Sequence, residues 1–485
     1  MRNFLVFAFF AFILSSQAKS MISVDDLHPK NGDLGTAIST AIDNASKKDD
    51  EVELVFSKGK TYTFYRSIVV RNHTTINGNG CTIRFNTQPQ THAMYIYNSF
   101  ITNRKCVSTD GTINHFTRTL YATKDITVKN INFECERDNE FWFNVNSERG
   151  IIALYGVDAL KIENCSFNLL RCNTPIWIGN IKNAEISKCK FIENFSNKGQ
   201  ESSCGAIWTN IGSYLDNVSI HDNEFTNYRD ESISIFSDGN ESNRYVDKVD
   251  IYKNVFNSRY YAITVYSGGV SGSVSIHDNT FNDFDCKTNP LAIEGEGGIR
   301  KLEVRSNRFL RANESSVMDF VAKPTIDSLL FDSNEVKNGN IAYSYLPTIT
   351  KYCSIQSNYL ANASTILSIS CKMPIYVEKN IFAVISAKNK CLFNINNGQE
   401  QDYIRNNTFD IRKSDGVMLL SQYGYGYSEC QNRLTFTGNI VKFRQTSTPF
   451  FHNDEKGKKI TVNISNNKIT GIKGKLLTSR IISKQ

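Results

Sequence analysis

Alternation of apolar and polar residues, returning at nearly regular intervals, is the dominant pattern in this chain. VSIHDNEF from Val218 and VSIHDNTF from Val274 are two copies, each with apolar residues at every second position before an asparagine. Alternation with a period of two is typical of a half-buried β-strand and excludes helical repeats. The pattern therefore predicts a short strand that ends at a turn and is repeated along the chain.

The asparagine of this phrase returns at spacings of 22 to 32 residues, and the period of the repeat reaches 34 residues in the earlier copies. A period in this range favours a solenoid, and the Leu-x-x-Leu-x-Leu run of leucine-rich repeats is missing. Asparagine suits a sharp turn because it tolerates the left-handed backbone conformation and its amide can hydrogen-bond its stacked neighbours. We therefore expect a stack made of Asn223, Asn254, Asn279, Asn307, Asn334, Asn358, Asn380, Asn407, Asn439 and Asn467.

A second strand recurs in the same units. Its copies are TPIWIG at Thr174, GAIWTN at Gly205, SISIFS at Ser232, YAITVYS at Tyr261 and PLAIEG at Pro290. Three short strands per coil, stacked about 4.8 Å apart, form a parallel β-helix. The fold class predicted from the repeats is therefore all-β, a parallel β-helix of about a dozen coils.

Three further segments carry a resemblance to a known superfamily. GDLGTAISTAIDNA from Gly32 has helical apolar spacing, VELVFSKGKTYTF follows from Val52, and TTINGNGCTI from Thr74 contains an Asn-Gly turn. With the repeats, they resemble the capping helix and first coils of the pectin-lyase-like right-handed parallel β-helices, which include polygalacturonases, polysaccharide lyases and phage tailspike depolymerases. The resemblance implies an N-terminal cap with a short helix in residues 19–51, the β-helix in residues 52–472, and a C-terminal tail in residues 473–485.

The first residues have the features of an export signal. Arg2 is followed by an apolar run from Phe4 to Leu14, and Ser16-Gln17-Ala18 offers small residues at the cleavage positions. The run is shorter than the roughly 20 apolar residues that cross a bilayer. We predict a signal peptide at residues 1–18, no membrane insertion after its cleavage, and a secreted or periplasmic protein.

Charge narrows the choice of partner. Lysine and arginine exceed aspartate and glutamate by seven, and no Lys/Arg block stands out. Nucleic acid is therefore not expected as a partner, whereas an acidic polymer stays open. The oligomeric state also stays open, with a trimer among the options.

The resemblance implies that a polysaccharide lies along the face formed by the second strand series. Aligning the inward residues of these strands places Trp177 and Trp208 outward at one level, together with Ser234, Thr264 and Ala292. Exposed aromatic rings offer flat apolar faces to sugars. The predicted substrate-binding rings are the two tryptophans and, about two positions further along, Tyr155, Phe236 and Tyr266.

Four carboxylates are the predicted catalytic groups. Asp230 and Glu231 stand before a strand of this face, where polygalacturonases have a Gly-Asp-Asp, so the match is partial. Glu294 and Asp319 project outward on neighbouring coils, about 5 to 9 Å apart. Glycoside hydrolysis needs a protonated acid and a second carboxylate at about this separation. Carboxylates that are merely solvated at the coil edges are the alternative interpretation.

Other activities remain open because expected motifs are missing. The chain has no Gly-His-Gly and no Arg-Ile-Lys, both expected of a polygalacturonase. A polysaccharide lyase acting by β-elimination would need a base and a cation beside a uronic carboxylate, and Arg229, Arg259 and Lys287 flank the same strands. No cofactor is expected, apart from Ca²⁺ in the lyase case. We therefore predict a polysaccharide hydrolase, with a lyase or a non-catalytic, export-associated binding protein as alternatives.

Four cysteines occupy related positions in successive coils. Cys165 and Cys189 replace the turn asparagine, which predicts Cα atoms about 5 Å apart. Cys172 and Cys204 precede successive strands of the second series. Because loops adjust more easily than stacked strands, Cys172–Cys204 is the favoured disulfide.

The two histidines of the repeated phrase offer a tempting metal site. His221 and His277 should both face solvent, two coils and about 10 Å apart, with Tyr252 between them. Two ring nitrogens so far apart cannot share one ion at about 2 Å. We therefore expect no metal there.

Overall fold

The computed structural model describes most of the repeat region and leaves out several connecting segments. The described residues are 19–49, 51–64, 67–85, 101–102, 123–135, 150–170, 174–194, 205–209, 214–228, 231–237, 246–257, 260–267, 270–282, 289–295, 297–363, 366–371, 373–383, 391–397, 401–413, 418–422, 432–446, 451–453, 459–472 and 479–483.

The chain winds into a right-handed parallel β-helix, as the sequence predicts. Each coil contributes a strand to sheet A, which ends at the asparagine turn, then a strand to sheet B, and then a strand to sheet C. Strands of one sheet pair in parallel with the corresponding strands of the next coil, so that Val218 aligns with Val249 and Val249 with Val274. The three sheets enclose one continuous core.

Most strands belong to one sheet, and a few bend from one sheet into the next. Sheet A contains Lys19–Ser23, Glu51–Val55, Leu215–His221, Lys248–Tyr252, Val270–His277, Gly298–Arg305, Thr325–Asp332, Ile375–Glu378, Gln401–Arg405, Asn432–Thr437 and Lys459–Ser465. Sheet B contains Thr61–Phe64, Ser166–Leu170, Lys190–Asn194, Glu224–Thr226, Val255–Asn257, Thr280–Phe281, Tyr359–Ala361, Ile381–Ala383, Thr408–Ile411, Ile440–Thr446 and Lys468–Ile472. Sheet C contains Ile68–Val69, Ile101–Thr102, Ile207–Thr209, Ile233–Ser237, Ile263–Ser267, Leu291–Glu294, Leu367–Cys371, Cys391–Asn397, Met418–Gln422 and Phe451–Asn453. The strands that span two or three sheets are Thr74–Phe85, Thr123–Cys135, Gly150–Glu163, Thr174–Ser187, Arg308–Val321 and Glu335–Gln356.

The predicted capping helix is present as Leu34–Ala45, preceded by two short 3₁₀ turns at Val24–Asp26 and Lys30–Gly32. Asp33 caps it by accepting a hydrogen bond from the Thr36 backbone N–H at 3.1 Å. The strand Lys19–Ser23 precedes the helix and pairs in parallel with Glu51–Val55. Parallel pairing therefore includes one strand on the N-terminal side of the helix.

A column of phenylalanines fills the core behind sheet B. Successive ring centroids lie 4.6 to 5.1 Å apart, and their planes are within 10° of parallel. Each ring occupies the second position after the asparagine turn, which faces inward in every coil. The column consists of Phe133, Phe167, Phe191, Phe225, Phe256, Phe281 and Phe309.

The predicted asparagine stack forms, and the side-chain amide of each asparagine is hydrogen-bonded to the neighbouring coils. Asn307 is representative: its Nδ2 donates to the Ile276 carbonyl at 2.8 Å and to Asn334 Oδ1 at 3.1 Å. Its own Oδ1 accepts from the backbone N–H and from Nδ2 of Asn279, both at 3.0 Å. The same contacts link the coils from Asn223 to Asn467.

One part of the expectation about this turn is wrong. The left-handed conformation falls on the residue before each ladder asparagine, such as Asp222 before Asn223, with a φ of 55°. The ladder asparagine must turn its side chain inward along the stack, so the positive φ is taken by its outward neighbour. The residues with a positive φ at this position are Lys188, Asp222, Lys253, Asp278, Ser306, Ser333, Ser357, Lys379, Asn406, Gly438 and Asn466.

Cys165 and Cys189 extend the asparagine column toward the N-terminus, as predicted from their positions. The Lys190 backbone N–H bonds the Cys165 carbonyl, so the two turns stack on successive coils. Cys189 Sγ contacts the Ile162 carbonyl at 3.8 Å, the position that Nδ2 occupies in the asparagine coils. Both thiols are buried and unbridged, whereas Cys172 and Cys204 lie outside the described residues.

His221 and His277 are separated by Tyr252, as the sequence predicts. The three rings stack on successive coils with centroids 4.6 and 5.0 Å apart. Each histidine contacts carboxylates rather than the other histidine: His221 contacts Asp222, and His277 contacts Asp278 and Asp250.

The C-terminal segment reverses the strand direction. Ser479–Ser483 pairs antiparallel with Lys459–Ser465, the last parallel strand of sheet A. Among the residues that the structure describes, no helix is long and apolar enough to cross a bilayer.

Replacing Asn307 with alanine tests the ladder. Loss of its amide leaves the Asn279 N–H and Nδ2 without their acceptor in the core, and unsatisfied buried donors cost about 1 to 3 kcal/mol each. We expect the free energy of unfolding to fall by about 3 kcal/mol or more, measured by urea denaturation. Asn132→Ala, at an exposed strand position, should change it by less than about 0.5 kcal/mol. Equal effects of the two substitutions would contradict the ladder's role.

Replacing Cys189 with asparagine should extend the ladder by one coil. The new amide would lie between the Ile162 carbonyl and Asn223 Oδ1, which already accepts from the Cys189 backbone N–H at 2.9 Å. An additional buried hydrogen bond contributes about 1 kcal/mol. We expect a higher free energy of unfolding for Cys189→Asn than for Cys189→Ala, measured in reducing buffer to exclude disulfide chemistry.

Candidate functional site

The outward residues of sheet C form two rows that run along the solenoid axis. In the first row, Trp177 pairs with Trp208, Trp208 with Ser234, and Ser234 with Thr264. The row continues through Ala292 to Asp319. The register predicted from the sequence is therefore correct. Ser234, Thr264 and Ala292 are fully buried, however, so within this row Trp177, Trp208 and Asp319 are the partly exposed residues. The second row lies two positions further along each strand and contains Tyr155, Phe236, Tyr266 and Glu294.

Trp177 and Trp208 lie edge to face on adjacent coils, with ring centroids 5.3 Å apart and planes at 61°. Both side chains are partly exposed. The Trp208 indole folds back over Gly205, where an added Cβ would lie 2.4 Å from Nε1 and 2.5 Å from the Glu231 carbonyl oxygen. Glycine at position 205 therefore gives the Trp208 ring the space for this orientation.

The other predicted aromatic residues differ in their surroundings. Tyr155 is only 3% exposed, which corrects the expectation of an open ring there. It pairs with Gly179 on the next coil, two positions beyond Trp177. Tyr266 is partly exposed and its hydroxyl contacts a carboxylate. Phe236 lies in its strand at the expected register, and its side chain is outside the described structure.

Glu231, Tyr266 and Glu294 form a connected group on this face. The Tyr266 hydroxyl donates to Glu231 Oε1 at 3.2 Å and is also a hydrogen-bonding partner of Glu294. Glu294 follows Tyr266 directly in the parallel register, one coil further along. Glu231 is 6% exposed, so its carboxylate is largely shielded from water. One phenol therefore connects two of the predicted catalytic carboxylates.

Asp319 belongs to the same face through a second tyrosine. The Tyr261 hydroxyl donates to Asp319 Oδ2 at 3.1 Å, two coils away, so its side chain crosses the coil that carries Ala292. Asp319 pairs with Ala292, which precedes Glu294 by two residues on the same strand. Asp319 is therefore a diagonal neighbour of Glu294 on the next coil. Such diagonal neighbours have Cα atoms about 7 to 8 Å apart. Glu294 and Asp319 therefore lie at a separation compatible with an acid and a second carboxylate.

Burial raises the pKa of the Glu294 carboxyl, and the negative charge of Glu231 raises it further. The hydrogen bond from Tyr266 lowers the Glu294 pKa, and the charge of Asp319 raises it again; the net direction is upward. Burial and the neighbouring Asp319 carboxylate likewise raise the pKa of the Tyr261 phenol. Glu294 is therefore biased toward its protonated form, the state that a general acid requires.

Several polar atoms of this face are buried without a hydrogen-bonding partner. In the part of the chain that the structure describes, these are Trp177 Nε1, Ser234 Oγ, Thr264 Oγ1 and Glu231 Oε2. Buried polar side-chain atoms are normally satisfied, so a row of exceptions calls for an explanation.

The remaining predicted residues are not placed by the structure. Asp230, Arg229, Arg259 and Lys287 lie outside the described residues, so their proposed roles stay predictions. Within the described ranges, no three His, Cys, Asp or Glu side chains are arranged to hold a metal ion.

Tyr261 is the functional candidate that the sequence analysis missed. It is the first residue of the predicted strand copy YAITVYS, but it precedes the observed strand Ile263–Ser267, and no role was predicted for it. Aligning DESISIF with YYAITVY places Tyr261 opposite Glu231, and the structure shows this correspondence through the bond from the Ser232 N–H to the Tyr261 carbonyl. The aligned position therefore marked it as a groove residue.

Comparisons with known proteins give structural likeness only. No protein-family model and no curated protein sequence matches the chain. Among solved structures, it is similar to PfbA, a surface adhesin of Streptococcus pneumoniae (14% identity, 94% of this chain and 93% of that one, TM-score 0.42). It is also similar to an exopolygalacturonase from Thermotoga maritima (10%, 96% and 94%, TM-score 0.35) and to a tailspike protein mutant of E. coli bacteriophage HK620 in complex with a pentasaccharide (11%, 91% and 80%, TM-score 0.44). At this level of similarity, function has to be argued from the site itself.

Replacing Glu294 with glutamine tests its electrostatic setting through stability. Because folding raises the Glu294 pKa, its contribution to stability is fully present below the ordinary glutamate pKa and is lost as pH rises through the raised value. Glutamine removes this loss. We expect the change in Tm caused by Glu294→Gln to be more favourable at pH 7 than at pH 4, measured by thermal unfolding.

Glu335→Gln is the matched control with the opposite sign. Hydrogen bonds from Arg308 and Lys337 lower the pKa of Glu335, so its contribution is present at neutral pH and is lost in acid. The control should reduce Tm more at pH 7 than at pH 4. The same pH trend in both variants would contradict the raised pKa of Glu294.

Proposed function

We propose that the protein binds a polysaccharide along the outer face of sheet C and cleaves it by glycoside hydrolysis. The observation that carries this proposal is Glu294, a partly buried carboxyl with a raised pKa, beside Asp319 on the next coil. An acid and a second carboxylate at such a separation are the groups that this reaction needs.

Glu294 is the general acid in this proposal. It would protonate the glycosidic oxygen as the bond to the leaving sugar breaks. The low exposure of the group and the charges of Glu231 and Asp319 favour its protonated form before transfer. The partly exposed outward position of the side chain gives a substrate access to the proton.

Asp319 is the second carboxylate. The Tyr261 hydroxyl donates to Asp319 Oδ2 and so favours a fixed orientation of the carboxylate. From that position Asp319 would stabilise the positive charge that develops on the sugar ring, or would activate a water molecule. The contribution of Asp230, which lies outside the described residues, remains a prediction from the sequence.

Trp177 and Trp208 provide the substrate-binding surface. Their partly exposed rings lie on the same axial row as Asp319, so a chain of sugars that follows the solenoid axis would pass from the rings to the carboxylates. The Trp177 N–H and the hydroxyls of Ser234 and Thr264 lie along this row but are buried, so the two indole rings are the accessible part of the surface. Aromatic faces with a few polar atoms are typical of sugar-binding sites.

Hydrolysis is the activity that the described groups around Glu294 support. Among the described residues, the charged groups that shift its pKa are carboxylates, as an acid and a second carboxylate require. The cations predicted for a lyase, Arg229, Arg259 and Lys287, lie outside these residues, so the product assay below separates the two reactions. The export predicted from residues 1–18 agrees with action on an extracellular polymer. We propose a secreted or periplasmic location on that ground.

A polysaccharide panel, read both by reducing ends and by the absorbance of unsaturated uronic products, tests the activity. We expect reducing ends without that absorbance. On the active substrate, Glu294→Gln and Asp319→Asn should lower turnover by about 10²-fold or more while leaving binding nearly intact. Trp208→Ala should weaken binding by about 1 to 3 kcal/mol. Glu335→Gln, on sheet B, is the control that should keep full turnover.

The other outcomes each point to an alternative. Appearance of unsaturated products would identify a lyase. Binding that needs both tryptophans, without cleavage of any polymer, would identify a binding protein. Full turnover in both carboxylate variants would remove Glu294 and Asp319 as catalytic residues.

A further inference from the structure

The Tyr266 hydroxyl has two carboxyl partners but only one proton to donate. It donates to Glu231 Oε1 at 3.2 Å and is also in hydrogen-bonding contact with Glu294. Two ionised carboxylates cannot both accept from one O–H. When Tyr266 donates to Glu231, the favourable arrangement with Glu294 is one in which the protonated Glu294 donates to the phenol oxygen.

Glu231 depends on this contact. Its side chain is 6% exposed, and within the described structure its Oε2 has no partner, so Tyr266 is its one described side-chain donor. A buried carboxylate without donors is strongly disfavoured. Movement of the Tyr266 hydroxyl away from Glu231 therefore costs free energy. How much it costs depends on whether Glu294 is protonated or ionised.

We propose that Tyr266 is a positioning residue whose hydroxyl donates to Glu231 while Glu294 is protonated and turns to Glu294 once that residue has given up its proton. The inference rests on the proposed general-acid role of Glu294. In the forward step, the proton leaves the Glu294 carboxyl for the glycosidic oxygen, whose bond to the sugar breaks. The Tyr266 O–H bond stays intact, and only its acceptor changes.

A general acid must be protonated before the reaction and stabilised as an anion after it. In this arrangement a different neighbour of Glu294 meets each requirement. The charge of Glu231 keeps Glu294 protonated before the reaction, and donation from Tyr266 stabilises the Glu294 carboxylate afterwards. Both effects agree with the opposite directions in which these two residues move the Glu294 pKa. A ring used only to bind sugar would have no such effect.

The groups that face Glu294 come from the strand Ile263–Ser267 and the residues before it, from Arg308–Val321, and from the segment before Ile233–Ser237. Tyr266 precedes it on the neighbouring coil and the apolar Val321 follows it. Glu231 precedes the strand Ile233–Ser237, and Asp319 lies diagonally on the next coil with Tyr261 as its donor. Glu231, Asp319 and the two phenols are thus the titratable neighbours that a pH-dependent measurement must separate.

The test is a carbon-13 NMR titration of the full-length protein labelled at the glutamate side-chain carboxyl. The Glu294 signal is assigned by its loss in Glu294→Gln. In Glu231→Gln the anion that raises the pKa is gone, so the midpoint should move to lower pH. In Tyr266→Phe the donor that lowers the pKa is gone, so the midpoint should move to higher pH. Opposite shifts in the two variants are the expected result.

Tyr261→Phe is the matched control, because it removes the hydroxyl bound to Asp319 and leaves the Tyr266 bridge in place. Its effect on the Glu294 midpoint should be smaller than that of Tyr266→Phe. An unchanged or lowered midpoint in Tyr266→Phe would overturn the proposal. If that variant does not fold, the wild type decides: the Glu231 signal should shift at the pH at which Glu294 titrates, and independence of the two signals would overturn the proposal.

The titration needs no substrate, so its outcome is separable from that of the activity assay. Opposite shifts without cleavage of any glycan would leave the shared hydroxyl standing and reject the hydrolase. Cleavage without these shifts would reject the role of Tyr266 alone. With both present, the alkaline limb of the pH–turnover profile should move in the same direction as the Glu294 midpoint in each variant.

Discussion

Full hydrogen bonding of a buried amide at each turn is the constraint on which this structure depends. From Asn223 to Asn439, each side chain donates to a carbonyl of the preceding coil and to the amide of the following coil. A coil shifted by one residue would break these contacts and would also turn its core residues outward. The ladder therefore fixes the register for all three sheets. The close stacking of the phenylalanines and the alignment of the sheet C rows follow from that register.

The candidate site uses the side of the solenoid that does not have to fill the core. Inward residues of sheet C, such as Ile233 and Ile263, fill the core, whereas Glu294 and Asp319 on the opposite face are partly exposed and can vary with little loss of core packing. The buried Glu231 lies close to them, and the crowding of the three carboxylates works against stability. Rigid strands hold them together despite their repulsion, which is how a fold can maintain a raised carboxyl pKa.

The fold was predictable because its signal is local and repeated many times. The alternation, the asparagine spacing and the second strand series were enough for the architecture, the stacked column and the outward level of Trp177 and Trp208. The residue that takes the positive φ at the turn was not predictable from residue type alone. The repeat pattern does not say whether Asn254 or the preceding Lys253 adopts the left-handed conformation. Tyr261 could have been found by aligning its repeat with that of Glu231, whereas the burial of Tyr155 depends on where side chains lie across neighbouring coils, which an alignment of strand positions does not contain.

The reversal of direction at Ser479–Ser483 has a consequence for self-association. Each strand of this solenoid pairs in parallel with a strand of the coil before it. Its other edge offers the same pattern of backbone donors and acceptors to the coil after it. An uncovered final strand of sheet A would therefore be a template onto which another copy of the chain could add in the same direction. An antiparallel strand pairs with Lys459–Ser465 but does not reproduce the parallel pattern. It thereby occupies the edge of Lys459–Ser465 that a second copy of the chain would otherwise extend in parallel.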